Sequence, residues 1–125
     1  MECVKFTKVA PYLQSALRMA AAFTFLAHGT QKLVAFPAGP RFSIASLMGI
    51  AGVLETVGGA LMLLGWFTRP VAFVLAGEMA YAYFTQHARR GFWPLTNGGE
   101  LAVLYFFIWL YCAAAGPGPI SLDRR

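Results

Sequence analysis

Charge is what this chain has least of. Only 12% of its 125 residues are Asp, Glu, Lys or Arg, about half the share in a typical soluble domain. So few charges leave little to clothe a water-exposed globule of this size. Two cysteines, Cys3 and Cys112, lie far apart with no CxxC between them. That excludes a disulfide framework and a thiol-redox motif. Acidic residues number five against ten basic ones. What is plentiful is apolar: 58% of the chain, with a mean hydropathy of +0.60. This excludes a disordered chain, and the length allows one domain. In a membrane protein the excess of Lys and Arg encodes orientation and lipid contact rather than nucleic-acid binding.

Breakers cut the sequence into four apolar stretches, predicted as helices over roughly 11–36, 42–67, 70–88 and 98–115. Each is near the ~20 residues needed to cross a ~30 Å hydrocarbon core. Between them stand PAGPR (37–41), TRP (68–70) and ARRGFWPLTNGG (88–99). Pro and Gly there end helices, and no strand-like alternation occurs. The runs are too long for barrel strands. The expectation is an all-α, single-domain, integral membrane bundle of four transmembrane helices. A hydropathy window is expected to score the first three weakly, since they hold ionisable groups; the longest uncharged run is 101–122.

Lys5 and Lys8 resemble the start of a signal peptide, but Gln14 and Arg18 interrupt the apolar run, so it reads as a retained helix. Four spans put both termini on one side, with Lys5, Lys8, Arg18, Arg69, Arg124 and Arg125. Lys32, Arg41, Arg89 and Arg90 fall opposite. The positive-inside rule then places both termini in the cytoplasm. Small residues recur at helical spacing. They are Ala16, Ala20 and Thr24 in the first stretch, Ala72, Ala76 and Ala80 in the third, and Gly49, Gly52, Gly58, Gly59 and Gly65 in the second. Such stripes let helices pack closely in lipid and suggest an oligomer.

Glu55, Glu78 and Glu100 lie in apolar stretches, where charge is expensive unless paired, protonated or hydrated. His28, Gln31 and Lys32 share one helix face. That face continues the Ala16–Ala20–Thr24 stripe, which is expected to point into the bundle. Glu55 is ringed by Ala51, Gly52, Gly58 and Gly59, where a helix or ligand can approach closely. Gln31, Lys32, Asn97 and Glu100 form a predicted outer layer, and His28, Glu55 and Glu78 a deeper one, of a single polar cavity opening toward the outer leaflet. Each has a plainer reading. Lys32 snorkels or neutralises Glu100, His28 is a neutral core histidine, and the two deeper acids are interhelical hydrogen-bonders. Arg69 reads as an interface anchor, and Arg89 and Arg90 as headgroup contacts. His87 lies about 180° around an ideal helix from Glu78, a poor candidate for the same site. The aromatics of the fourth stretch, Tyr105 and Trp109 among them, read as packing or lipid-facing groups.

A di-iron bundle needs Glu-x-x-His on two helices, and the chain has none. Mononuclear metal binding by His28, Glu55 and Glu78 is the weaker alternative. There is no Walker loop, dinucleotide fingerprint or Ser-His-Asp order.

The pieces HGTQKL (28–33), ETVGGALMLLGWFTRP (55–70), EMAYAYFTQHARRGFWPLTNGGE (78–100) and AGPGPISLD (115–123) resemble the DoxX family of small four-helix bacterial membrane proteins. They cover nearly the whole chain in order. The resemblance implies a multi-pass protein of the bacterial inner membrane. It also implies a link to membrane oxidoreductase assemblies, since the family takes its name from a subunit associated with quinone-linked sulfur oxidation. His28, Lys32, Glu55, Asn97, Gly98, Gly99 and Glu100 fall in its motif blocks. The functional expectation is a redox-associated accessory subunit that binds a quinone or similar small molecule. His28 or Lys32 would be donor, and Glu55 and Glu78 proton carriers. A quinone-linked component fits better than a self-sufficient enzyme, because no redox centre is visible and electrons must come from a membrane partner. A small-molecule transport or binding module and a structural subunit of a larger complex are the other readings.

Overall fold

The computed structural model describes residues 2–123, with side chains from Phe6 onward. Cys3 and Lys5 (as side chains) and Arg124 and Arg125 lie outside the described residues. Helix α1 spans Glu2–Val34, α2 Leu47–Leu64 and α3 Thr68–Ala82. A π-helical turn, Tyr83–His87, and a 3₁₀ turn, Ala88–Arg90, prolong α3. A single turn, α4 (Pro94–Asn97), precedes α5, Glu100–Ala115. No strand occurs among the described residues.

Several boundaries differ from the sequence expectation for local reasons. Helix α1 runs through Pro11 and begins at Glu2 rather than near 11. Helix α2 starts at 47, not 42, because the Ser46 hydroxyl accepts from the Gly49 N–H and caps it. It stops before Gly65, whose φ of 70° fits the left-handed helix end that glycine tolerates. Helix α3 leaves α-geometry at Tyr83 rather than continuing to 88. Of these helices, α2 is the one both long and apolar enough to cross a bilayer alone, with a mean hydropathy of 1.9. The fourth stretch was expected to carry the strongest signal, but Gly116 ends α5 after 16 residues. The second was expected to score weakly, yet its only ionisable group is Glu55.

Helices α1 and α2 form one close pair and α3 and α5 another; α2 and α3 touch far less. Glycine makes the first pair. A Cβ on Gly29 would lie 2.5 Å from the Thr56 backbone nitrogen, and one on Gly59 3.0 Å from the Leu26 Cα. Only hydrogen fits at these crossings. The core is aromatic. Phe25 packs edge-on against Tyr105 and Trp109, with centroids 5.0 and 5.4 Å apart. Leu75, Met62 and Cys112 complete it. Tyr105 and Trp109 are thus packing groups, whereas Phe107 and Tyr111 point outward. The exterior is apolar, with Phe23, Val57, Phe73, Leu104 and Phe107 all exposed.

The inward face of α1 differs from the expected stripe. Ala16, Ala20 and Thr24 are exposed. The buried positions are Ser15, Arg18, Ala21, Ala22, Phe25 and Gly29, all but Ala21 on one i, i+3, i+7 register. Arg18 decides the register. It is fully buried, and its guanidinium donates to the carbonyls of Met62 (2.7 Å), Ile120 (2.7 Å) and Pro117. Burying a cation in this way requires that its donors be met. The Gly-Pro-rich tail supplies the free carbonyls, so residues 116–123 fold across this end of the bundle. Ser15 donates to the Pro117 carbonyl and accepts from the Ile120 N–H. Arg69, expected at the interface, donates to the Ala114 carbonyl.

Candidate functional site

At the opposite end, a cavity of about 330 Å³ opens among α1, α2, α3 and α5. Its polar wall holds His28, Lys32, Glu55, Glu78, His87 and Arg90. Its apolar wall is built from Phe25, Met79, Leu101 and Tyr105.

Lys32 sits on the last turn of α1 and reaches across the seam to Glu55, with Nζ to Oε1 at 2.5 Å. The approach is possible because Gly52 stands below: a Cβ there would lie 2.9 Å from that of Lys32. The side chains are 17% and 3% exposed, so the pair is largely withdrawn from solvent. It is the one ion pair among the described residues. Lys32 therefore neutralises Glu55, not Glu100. Charge-assisted hydrogen bonding of this kind is short and strong, and it leaves the pair with no net charge.

Glu78 has no cation of its own. Its carboxyl lies beside that of Glu55, close enough for one proton to bridge the two acids. Both of its oxygens are buried, and no N–H or hydroxyl among the described residues donates to them. A buried polar group without a partner is destabilising by about 1–3 kcal/mol, and more when charged. Such a group either holds its proton or meets something that enters the cavity. His28 lies edge-on to the Tyr105 ring, with centroids 6.0 Å apart. The Tyr105 hydroxyl is held by Thr24 Oγ1 at 2.5 Å, which fixes the aromatic wall.

Three of the expected residues stand elsewhere, so one cavity does not hold them all. Gln31 lies against Gly39 in the loop after α1. Asn97 is buried and structural: its side chain donates to the Tyr83 hydroxyl and the Gly91 carbonyl and accepts from the Gly99 N–H. Glu100 is exposed in the first turn of α5, where a negative charge suits the helix dipole. Conversely, His87 and Arg90 line the cavity with Glu78. The π-helical turn explains this. Each residue there rotates the chain less than the 100° of an α-helix, so His87 arrives on a face that an ideal helix would deny it. No sequence signal marks that turn. As for the metal alternative at His28, Glu55 and Glu78, no three His, Cys, Asp or Glu residues come together to hold an ion among the described residues.

Comparison with known proteins gives this geometry a context. The profile described as DoxX matches residues 13–88. An uncharacterised protein of Haemophilus influenzae is 44% identical over 125 aligned positions, covering 94% of this chain and 93% of that one. The inner membrane protein YphA of Escherichia coli is 30% identical over 96% of this chain and 94% of its own. A membrane protein of Mycobacterium tuberculosis is 32% identical over 87% of this chain and 78% of its own. No solved structure matches.

Proposed function

This chain belongs to the DoxX family and resides in the bacterial inner membrane, and from that premise we propose that it is a small-molecule-binding accessory subunit whose ligand is a quinone-like headgroup. It crosses the membrane four times, with both termini in the cytoplasm and the cavity toward the outer leaflet. The apolar exterior and the basic residues near the two termini support that topology. At ~1.5 Å per residue, α2 covers about 27 Å, close to the thickness of the hydrocarbon core.

The observation that carries the reading is Glu78. Its two buried oxygens, which no N–H or hydroxyl satisfies, lie at a cavity that already contains the neutral Lys32–Glu55 pair. A planar cyclic dicarbonyl suits such a space. Its ring packs against Phe25 and Tyr105, and its carbonyls take hydrogen bonds from Lys32, His28, His87 or Arg90. A quinone would supply two-electron redox chemistry when bound, with the electrons delivered by a membrane partner. The protein's own part is to hold the ring, exclude water and keep a titratable carboxyl beside the carbonyl oxygen.

Native mass spectrometry in mild detergent, with an ultraviolet–visible spectrum of the same sample, tests this. A quinone-sized adduct on the wild type, lost in Glu78→Gln and Lys32→Met, is expected. A wild type that takes up no quinone from saturating decylubiquinone overturns the reading.

A further inference from the structure

Glu78 belongs to two spaces at once. On one side is the polar cavity. On the other is an almost wholly apolar groove of about 270 Å³ on the outside of the bundle, between α2 and α3. Met48, Ala51, Glu78, Ala82 and Gln86 line both. The groove does not stop there. Through Leu54 and Val74 it continues into a second apolar furrow of about 350 Å³, which runs down the same seam to Leu61 and Pro70. The seam is open because α2 and α3 belong to different helix pairs and touch little. Small residues, Ala51 and Ala82, stand at the junction between groove and cavity.

We infer that the ligand is a long-tailed amphiphile that enters sideways from the bilayer between α2 and α3, its head in the polar cavity and its tail along the α2–α3 furrow. This rests on the cavity being a headgroup site, as proposed above, and adds a route and a ligand class. The argument is one of continuity. A buried carboxyl that no N–H or hydroxyl satisfies stands on the boundary between a polar chamber and an apolar channel leading away along the helices. A soluble, tail-less ligand would have no use for the channel. A phospholipid with a charged phosphate would meet the Glu78 carboxyl at the entrance. A neutral, hydrogen-bond-accepting head on a single apolar tail fits both parts. Glu78, holding its proton, then donates to the head's carbonyl oxygen and acts as a positioning group at the threshold.

The test separates tail from head. Binding of decylubiquinone and of its tail-less parent quinone is measured on detergent-purified wild type and on Val74→Trp and Leu54→Trp. These two residues line the furrow but not the cavity. The wild type is expected to bind the tailed quinone at least tenfold more tightly. Each furrow variant should lose that advantage while binding the tail-less quinone unchanged, and Glu55→Gln should weaken both. Two variants on facing helices guard against one that fails to fold. If both quinones bind the wild type and the furrow variants change neither, or change both equally, the sideways route is overturned and the cavity stands. If neither quinone binds the wild type, the cavity reading falls and the route with it.

Discussion

Lys32 and Glu55 meet at 2.5 Å across the α1–α2 seam, over a glycine that no larger residue could replace without displacing them. The pair is nearly desolvated, so its members depend on one another. Removing either one alone leaves an uncompensated charge in an apolar setting, a loss of about 3–5 kcal/mol for buried pairs. Lys32→Met and Glu55→Gln are each expected to lower thermal stability in detergent markedly. The double variant should lose about 1–3 kcal/mol less than the two single losses added together, the coupling energy read by a double-mutant cycle. Additive losses would show that the two residues act independently.

Two helix glycines, Gly29 and Gly77, differ in what surrounds them, and that difference predicts opposite signs. A Cβ on Gly29 meets the backbone of Thr56 at 2.5 Å, where nothing can yield without moving α2. Gly29→Ala is therefore expected to destabilise by about 1–3 kcal/mol, the usual range for overpacking. Gly77 on α3 has nothing within 4 Å of the same position. Gly77→Ala should stabilise by about 0.5–1 kcal/mol through helix propensity alone. Paired melting curves read both.

How much of this was legible in the sequence depends on the kind of information each feature needs. The all-helical architecture and the polar cluster of His28, Lys32, Glu55 and Glu78 followed from apolar run lengths and from the rarity of charge. The Lys32–Glu55 contact is not legible there, because it depends on which helices pair, and the sequence alone offers Lys32 only the interface or Glu100. The inward face of α1 departs from the small-residue stripe because Arg18 sets the register. In fact the long cation is the residue that most needs the interior, since the carbonyls of the tail lie there. The assumption of 100° per residue puts His87 opposite Glu78. The π-helical turn at Tyr83–His87 breaks that assumption, and its cause lies in tertiary contacts around Gly99 and Asn97. A Cβ on Gly99 would lie 2.7 Å from the Tyr83 ring, so the close approach of α5 and the unwound turn are a single packing solution.

The buried Arg18 predicts a sharp difference between two similar side chains. Its guanidinium spans the carbonyls of Met62, Pro117 and Ile120, a set of directions that an ammonium group cannot match. Arg18→Lys is expected to release the 116–123 segment without unfolding the bundle. Digestion with a nonspecific protease in detergent should then cut within that segment at least tenfold faster than in the wild type, with helical circular dichroism unchanged. Equal cutting rates would show that the segment is held by its other contacts alone.

The last residue of that segment to be described gives a pH dependence with a definite sign. The Asp123 carboxylate accepts from the Phe67 N–H at 2.7 Å and the Thr68 N–H at 3.0 Å, closing the start of α3. Partial burial pushes its pKa up, but the hydrogen bonds from Thr68 and Phe67 and the charge of Arg18 outweigh this and hold it below the ordinary carboxylate value. A carboxyl with a depressed folded-state pKa stabilises its fold above the unfolded value, about 3.9 for Asp, and loses that contribution as pH falls through the lower folded value. The amides of Phe67 and Thr68 should therefore be protected from hydrogen exchange at neutral pH. That protection should fall progressively below about pH 4, once intrinsic rates are allowed for. In Asp123→Asn the side-chain oxygen can still accept one of the two bonds. Its protection should be lower at neutral pH and flat across the acid range. A wild-type profile that is also flat would show that Asp123 carries no charge-dependent share in closing the helix.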